Sequence, residues 1–296
     1  MKKYYITTPI YYVNDKPHIG HAYTTILADT LSRFRDLIGD TSFFLTGLDE
    51  HGLKVQQAAE KNGVTPAVHC DTMAPAFIEL WEKLNINYSD FIRTTEKRHI
   101  KIVQSILNQV YKNGDIYQDE YEGWYSISEE RFITEKEVES GLFGQVKKIK
   151  EKNYFFKMSK YQSALIEKIE SNELSIQPKS RKNEVLGFLK NDLSDLCISR
   201  PKSRLEWGIE IPFDKDYVTY VWFDALINYI SAPKYLEDNK VFDLHWPADV
   251  HLIGKDILTT HSVYWPTMLM ALNLPLPKAI FAHGWWLTDD KKMSKS

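Results

Sequence analysis

The sequence predicts an α/β fold in which a doubly wound parallel sheet is interrupted by a smaller inserted domain. Strand-like and helix-like patterns alternate over residues 4–114, the order typical of parallel sheets covered by helices. Residues 117–156 are instead rich in aromatic and β-branched residues with glycines between them, which favours short antiparallel strands. Apolar runs at 250–253 and 279–282 then indicate that the parallel sheet resumes.

The elements of the first half follow in a regular order. An apolar run predicts a strand over residues 4–10, and apolar residues at helical spacing up to Ile38 predict the helix after it. A second strand is predicted at 43–46. Residues typical of helix termini then delimit further helices, at 53–61 before Gly63, from Thr65 and Pro66 onward, and at 96–113 before Gly114.

We divide the chain on this basis. Residues 1–115 and 221–296 are predicted to form the parallel sheet with its helices, and 116–220 the insertion between its halves. Helical patterns return inside the insertion at 160–169 and at about 181–195. Four lysines between 147 and 152 form a basic run, which we interpret as a solvated face in preference to an RNA contact.

Composition excludes several classes of protein. The 296 residues are 43% hydrophobic, enough for a sizeable core, and the net charge of −3 gives no overall basic footprint for nucleic acid. The chain shows neither a signal-peptide pattern nor a run of 18 apolar residues, so we expect a cytoplasmic protein with no membrane partner. Cys70 and Cys197 are the only cysteines, which predicts free thiols and no thiolate zinc site.

Two short basic motifs lie near the ends of the chain, Pro-His-Ile-Gly-His at 17–21 and Lys-Met-Ser-Lys-Ser at 292–296. The first stands between a predicted strand and a predicted helix, where free backbone N–H groups bind phosphates. The second places two ammonium groups close together, suited to a departing pyrophosphate. Alone, the histidines could be a capping pair or surface residues, and the lysines a mobile tail. Together the motifs indicate an ATP site.

Both motifs resemble those of class I aminoacyl-tRNA synthetases, and the sequence between them resembles that of methionyl-tRNA synthetases. The resemblance runs from end to end. It is carried by four further segments, Thr-Thr-Pro-Ile-Tyr-Tyr-Val-Asn at 7–14, Gly-Leu-Asp-Glu-His-Gly at 47–52, Tyr-Val-Trp-Phe-Asp-Ala-Leu at 220–226 and Gly-Lys-Asp-Ile at 254–257. It implies a Rossmann-like catalytic domain, with residues 116–220 as the connective peptide. Because the chain has no Cys-x-x-Cys pair, it resembles the zinc-free bacterial form.

The resemblance implies a role for individual residues. Those assigned to catalysis are His18, His21, Lys292 and Lys295. Those assigned to ATP are Gly20, Gly254, Asp256, His283 and Trp286. Those assigned to methionine are Ile10, Tyr12, Asp49, Trp222, Ala225, Tyr229, Ile257 and His261. Residue chemistry supports several of them, since a carboxylate suits the substrate ammonium and aromatic rings suit a thioether. Asp256 could also cap a helix near Ile257, and Trp222 alone could be a core residue.

The implied reaction is activation of methionine by ATP, followed by transfer to methionine tRNA, both initiator and elongator. The implied cofactor is Mg²⁺ bound to ATP, with no structural zinc. Family members continue past the second motif into a helical anticodon-binding domain, which this sequence lacks, so we expect a catalytic fragment with weak, salt-dependent tRNA binding and slow adenylate formation.

Three alternatives are weighed against this interpretation. Branched-chain synthetases need a large editing domain for which the insertion leaves no room, and the cysteinyl enzyme needs zinc ligands that two cysteines cannot supply. A nucleotidyltransferase with a His-x-Gly-His motif fits the first motif but not the second, nor the segments around Asp49 and Trp222. A catalytically silent paralogue stays open, and only an activity assay excludes it.

Overall fold

A computed structural model describes residues 2–126, 131–133, 135–139, 141, 144–285, 287–288 and 291–292 of the chain. Its strands are, in chain order, β1 (Lys3–Tyr12), β2 (Thr41–Asp49), β3 (Asp90–Arg93), β4 (Ile116–Ser126), β5 (Arg131–Ile133), β6 (Val146–Phe156), β7 (Ser175–Gln177), β8 (Leu196–Cys197), β9 (Ser199–Pro201), β10 (Glu210–Ile211), β11 (Asp214–Thr219), β12 (Val250–Gly254), β13 (Ala279–His283), β14 (Leu287–Thr288) and β15 (Lys291–Lys292).

The helices lie between these strands. They are α1 (Ile19–Leu37), α2 (Leu53–Lys61), α3 (Pro66–Lys83), α4 (Lys97–Lys112), α5 (Glu135–Glu139), α6 (Gln162–Glu170), α7 (Lys179–Phe188), α8 (Val221–Leu226), α9 (Asn228–Ser231), α10 (Asn239–His245) and α11 (Trp265–Ala271). Short 3₁₀ turns occur at Met158–Tyr161 and Lys255–Ile257, and a π-helical turn at Thr260–Tyr264 leads into α11.

The central sheet has six parallel strands in the order β3-β2-β1-β12-β13-β7. The chain builds outward from β1 through β2 to β3, and later returns to the other side of β1 with β12. This reversal of strand order is the switch point of a doubly wound sheet, where ligands bind at the carboxyl ends of the strands. The predicted fold class is therefore confirmed.

The middle of β1 is buried because helices cover both faces of the sheet. Tyr5 and Ile6 point to opposite sides and each belongs to a separate apolar cluster. The larger cluster continues under α4, whose apolar residues recur at helical spacing, and includes Ile102, Ile106 and Val110. This packing fixes the carboxyl end of β1, which opens onto the cavity described below.

The insertion contains the predicted antiparallel strands. Strands β4 and β6 pair antiparallel along their whole length, within a four-stranded sheet ordered β5-β4-β6-β8. The basic run lies on β6, where Lys148 and Lys150 each approach a glutamate of β4 at 3.2 Å, Glu122 and Glu120 respectively. These pairs partly neutralise the run, which agrees with its interpretation as a solvated face.

One strand of the predicted insertion belongs to the main sheet. Strand β7, inside residues 116–220, pairs parallel with β13, with Ile176 opposite Ile280. The insertion is therefore interrupted by a segment that completes the central sheet. The exact boundaries at 115 and 221 stay a prediction.

Three expectations from composition can be compared with the described residues. Both cysteines are free thiols, as predicted. Within the described ranges, no helix has the length and apolar character needed to cross a membrane. The same residues bring together no group of three or more His, Cys, Asp or Glu side chains able to hold a metal ion. The zinc content of the protein stays a prediction.

Candidate active site

A cavity of about 630 Å³ opens at the switch point of the central sheet. Its walls come from the end of β1, the start of α1, helices α8 and α9, and the residues that follow β12 and β13. Predicted site residues from all three assigned groups line it: Ile10, Tyr12, His18, Gly20, His21, Asp49, Trp222, Ala225, Tyr229, Gly254, Asp256, Ile257, His261 and His283.

Three assigned residues cannot be placed in the same way. Trp286 and Lys295 lie outside the described residues. The backbone of Lys292 pairs with Leu287 in a short hairpin, but its side chain is outside what the structure describes. The roles assigned to these residues therefore stay predictions.

The two histidines of the first motif form the start of α1. His18 is the N-cap, and its Nδ1 accepts a hydrogen bond from the Gly20 N–H at 3.1 Å. The His18 N–H in turn approaches Nδ1 of His21 at 3.4 Å, and the two rings stack with their centroids 3.6 Å apart. Because Nδ1 accepts a hydrogen bond in both rings, the N–H donor of each ring is Nε2. Capping therefore occurs, and it also sets both histidines as N–H donors.

Gly20 is needed for this arrangement. A Cβ at this position would lie 3.0 Å from Cε1 and 3.1 Å from Nδ1 of His18. Both distances are shorter than ordinary van der Waals contact, so a side chain would displace the His18 ring. The absence of a side chain at Gly20 thus lets the His18 ring lie against the backbone at this position.

The residues after β12 form the second wall. Gly254 occupies the N-cap position of the turn Lys255–Ile257, so Asp256 lies inside the turn and does not cap it. A Cβ on Gly254 would be only 2.6 Å from Asp256 Oδ1. The absence of a side chain at Gly254 therefore lets the Asp256 carboxylate lie against the strand end, at the rim of the cavity.

His283 closes this wall from the end of β13. Its Nδ1 donates to the Gly284 carbonyl at 2.8 Å, which leaves Nε2 to accept from the Thr24 hydroxyl at 2.7 Å. Lys255 places Nζ 3.8 Å from the centroid of the Trp285 ring nearby. The end of β13 is thereby tied to α1 across the cavity.

The apolar end of the cavity contains a buried Tyr–His pair. His261 lies on the π-helical turn and donates Nδ1–H to the Ile257 carbonyl at 2.9 Å. Its Nε2 accepts from the Tyr229 hydroxyl at 2.7 Å. Burial lowers the pKa of His261 to about 4, so the ring is neutral at physiological pH. The tautomer and the direction of both hydrogen bonds follow from these partners.

A second histidine supports this pair from behind. His251 stacks on the Tyr229 ring with centroids 4.2 Å apart and is fully buried. The Trp265 Nε1–H donates to its Nε2 at 3.1 Å, so Nδ1–H donates to Thr7 Oγ1 at 2.8 Å. Burial holds the pKa of His251 well below its usual value. Tyr229 is therefore fixed by neutral, hydrogen-bonded neighbours.

Asp49 also lines the cavity, from the end of β2. It is the last residue of β2 and is largely buried, and the turn after it is held on both sides. Glu50 accepts from Arg93 Nε at 2.7 Å, and its carbonyl accepts from Trp207 Nε1. Gly52 N–H donates to the Trp207 carbonyl at 3.1 Å.

Sequence reasoning missed several residues of this region. Thr24 lines the cavity and follows Gly20 by one helical turn on α1. The helical spacing from Gly20 could therefore have identified it. Trp285 lines the cavity, whereas the prediction named its neighbour. His51 and Asp224 lay inside motifs that were recognised, yet no role was assigned to either.

Comparison with known proteins agrees with the sheet order and the paired motifs. The family described as tRNA synthetases class I (M) matches residues 4–142 and 139–296. The chain therefore belongs to this family of class I synthetases.

Curated relatives of the chain carry a more specific name than the family. A methionine–tRNA ligase of Clostridium acetobutylicum is 54% identical over 301 residues, covering 100% of this chain and 46% of the relative. That of Bacillus subtilis is 48% identical over 310 residues, covering 99% of this chain and 46% of the relative. The chain thus spans about half the length of these curated relatives.

Solved structures of a methionyl-tRNA synthetase are also similar to the chain. Mycobacterium tuberculosis methionyl-tRNA synthetase bound by methionyl-adenylate has a TM-score of 0.94 at 42% identity, covering 100% of this chain and 59% of that one. The free-state structure of the Mycobacterium tuberculosis protein has a TM-score of 0.81 at 39% identity, covering 96% and 56%. The architecture is shared over almost the whole chain.

Proposed function

We propose that this chain activates L-methionine with ATP, forming methionyl-adenylate and pyrophosphate. The observation that carries the proposal is that one cavity is lined both by His18 and His21, at the start of α1, and by the aromatic pair Tyr229 and His261. Asp49 lines the same cavity. The relatives named methionine–tRNA ligase and the methionyl-adenylate complexes of the Mycobacterium tuberculosis protein support the same assignment.

The chemical step is attack of the methionine carboxylate on the α-phosphorus of ATP. A new P–O bond forms, the bond to the β-phosphate oxygen breaks, and pyrophosphate leaves with the electron pair. The Nε2–H groups of His18 and His21 lie at the start of α1, where the helix dipole also favours anions. They would stabilise the charge that develops on the phosphates. Lys292 and Lys295 are assigned to the leaving pyrophosphate.

The nucleoside half of ATP is assigned to the second wall. A carboxylate at the carboxyl end of β12 suits the ribose hydroxyls, and Asp256 occupies that place. His283 would contact the base side, with its ring orientation fixed by Thr24. Mg²⁺ would arrive with ATP as part of the substrate, held mainly by phosphate oxygens.

The methionine half is assigned to the apolar end. Asp49 would pair with the substrate ammonium, and the thioether would contact Trp222 and the Tyr229–His261 pair. Because burial keeps His261 neutral, this wall is weakly polar and polarizable and carries no charge that would need water. Such a wall suits sulfur, which is itself weakly polar and polarizable.

The second half-reaction is proposed for the whole protein. We infer that it transfers methionine to initiator and elongator methionine tRNA in the cytoplasm, and the name of the relatives, methionine–tRNA ligase, supports the transfer. Anticodon recognition is assigned to the part of those relatives that this chain does not match.

Methionine-dependent ATP–pyrophosphate exchange tests the proposal. Exchange should appear with L-methionine and stay at background with L-isoleucine or without amino acid. Asp49→Asn should abolish the methionine-dependent part, because the ammonium loses its counter-charge, whereas Asp192→Asn on the exposed surface should not change it. Absence of methionine-dependent exchange in the unaltered chain would favour a catalytically silent paralogue.

A further inference from the structure

A carboxylate and two imidazoles form a buried cluster behind the wall of the cavity. The Asp224 carboxylate accepts from His51 Nδ1 at 2.6 Å through one oxygen and from His99 Nε2 at 2.7 Å through the other. All three side chains are buried. The cavity is lined by their neighbours Asp49, Trp222 and Ala225 and not by these three residues.

The cluster holds its carboxylate in the ionised form. Burial alone raises the pKa of Asp224, but the two imidazoles outweigh it and keep the pKa below its usual value. A buried carboxylate is tolerated only when its oxygens are hydrogen-bonded, and both are. Charge-assisted hydrogen bonds of this kind are short and directional. The elements that carry the three residues are therefore coupled in position.

The first bond joins two walls of the methionine pocket. His51 follows Asp49 by two residues on the turn after β2. Asp224 lies on α8 between Trp222 and Ala225, both of which line the cavity. The bond from His51 to Asp224 thus sets the distance between the wall that carries Asp49 and the aromatic wall.

The second bond, from His99 to Asp224, extends this coupling to α9, the helix that carries Tyr229. His99 lies on α4, the amphipathic helix whose buried face packs in the main core. Its Nδ1 is 2.8 Å from the Ser231 hydroxyl on α9, two residues after the cavity-lining Tyr229. A single carboxylate therefore connects the elements that present the charged and aromatic groups of the pocket.

We propose that Asp224, His51 and His99 are positioning residues that fix the span between the Asp49 carboxylate and the Tyr229 end of the methionine pocket. This proposal rests on the proposed function, since that span is the one between ammonium and thioether of a bound methionine. The ATP half of the site is built from α1 and the residues after β12, so its geometry depends less on this cluster.

A pair of substitutions at one position tests this. In His99→Gln the side-chain amide can still donate to Asp224 from about the place of Nε2, whereas His99→Leu removes the donor. Equilibrium binding of methionine and of ATP is measured separately for each by calorimetry. We expect methionine to bind His99→Leu about tenfold more weakly, the equivalent of one weakened hydrogen bond to a charge. The Kd for ATP should change less than about twofold.

The conservative variant and a control complete the design. His99→Gln should restore methionine binding to within about threefold of the unaltered chain. Asp115→Asn removes another buried carboxylate, one that pairs with Lys160 and Tyr161 away from the cavity, and should lower stability without changing methionine affinity. If these substitutions acted only through a general loss of stability, they would weaken methionine and ATP binding alike, whether made at His99 or at Asp115.

The outcomes separate the two proposals. If the unaltered chain does not bind methionine, the proposed function fails. If it does and His99→Leu binds methionine equally well, or loses both ligands equally, the positioning role is wrong. Should His99→Leu not fold, Ser231→Ala removes the outer hydrogen bond to His99, together with the longer one of 3.3 Å to the Asn228 carbonyl. Unchanged methionine affinity in that variant would overturn the proposal.

Discussion

Replacing Tyr229 by phenylalanine removes one hydroxyl from the centre of the proposed methionine pocket. That hydroxyl donates to His261 Nε2 at 2.7 Å, and both side chains are buried. Its loss leaves the Nε2 acceptor buried without this partner, which destabilises the fold by about 1–3 kcal/mol. We therefore expect a melting temperature lower by several degrees, at roughly 2–4 °C per kcal/mol for a chain of this size.

The effect on ligands should be selective. In the unaltered chain methionine should bind more tightly than norleucine by about 1–3 kcal/mol, because the two differ only at one atom in a largely apolar pocket. Tyr229→Phe should remove most of this preference by weakening methionine binding, while norleucine binding stays nearly the same. Calorimetric titration with both ligands gives the two Kd values directly.

A control separates this effect from the loss of a core tyrosine hydroxyl elsewhere in the chain. Tyr235 is also buried in the main core but does not line the cavity. Tyr235→Phe should leave the preference for methionine over norleucine unchanged. A Tyr229→Phe variant that keeps the full preference would refute the assignment of Tyr229 and His261 to the thioether.

Other perturbations test other parts of the structure. His21→Ala should lower methionine-dependent exchange roughly 10²–10³-fold, the usual loss for one transition-state donor; a rate within a few-fold of the original would remove His21 from the mechanism. The free energy of unfolding should fall as pH drops from about 6.5 to about 4, because the unfolded chain binds protons at His261 and His251 that the fold excludes. For His261 alone the free energy of unfolding should fall by about 3 kcal/mol over this range. A free energy of unfolding, measured by urea denaturation, that stays the same from about pH 6.5 to about pH 4 would contradict this. Gly47→Ala should unfold or severely destabilise the chain, since its Cβ would lie 2.0 Å from the Ile92 carbonyl oxygen; a normal melting temperature would show that strands β2 and β3 pair differently. Elemental analysis should find no stoichiometric zinc, and zinc lost together with the fold on chelation would overturn that expectation.

The sequence predicted most accurately what short-range patterns determine. Helix α2 was predicted with the bounds Leu53–Lys61 that the structure shows, because Gly63 and an amphipathic repeat mark it locally. The capping arrangement of His18 and His21 also depends on residues within one turn. The helix cap and the phosphate site considered for this motif use the same geometry.

Long-range pairing was not accessible in the same way. Strand β7 has only three residues, too few to show a periodic pattern, so its place in the main sheet was missed. The Asp224 cluster joins residues 173 and 125 positions apart in sequence, and no local signal links them. The π-helical turn that carries His261 was not predicted, because one extra residue in a turn leaves the apolar pattern nearly unchanged.

The most direct test of the account is an experimental structure of this chain with a non-hydrolysable methionyl-adenylate analogue, because the central claim is that one cavity holds both substrates. We predict that the ribose lies at Asp256, the ammonium at Asp49 and the thioether against Tyr229. An analogue bound outside this cavity, or one whose side chain lies away from Tyr229 while the adenosine occupies the site, would contradict the claim.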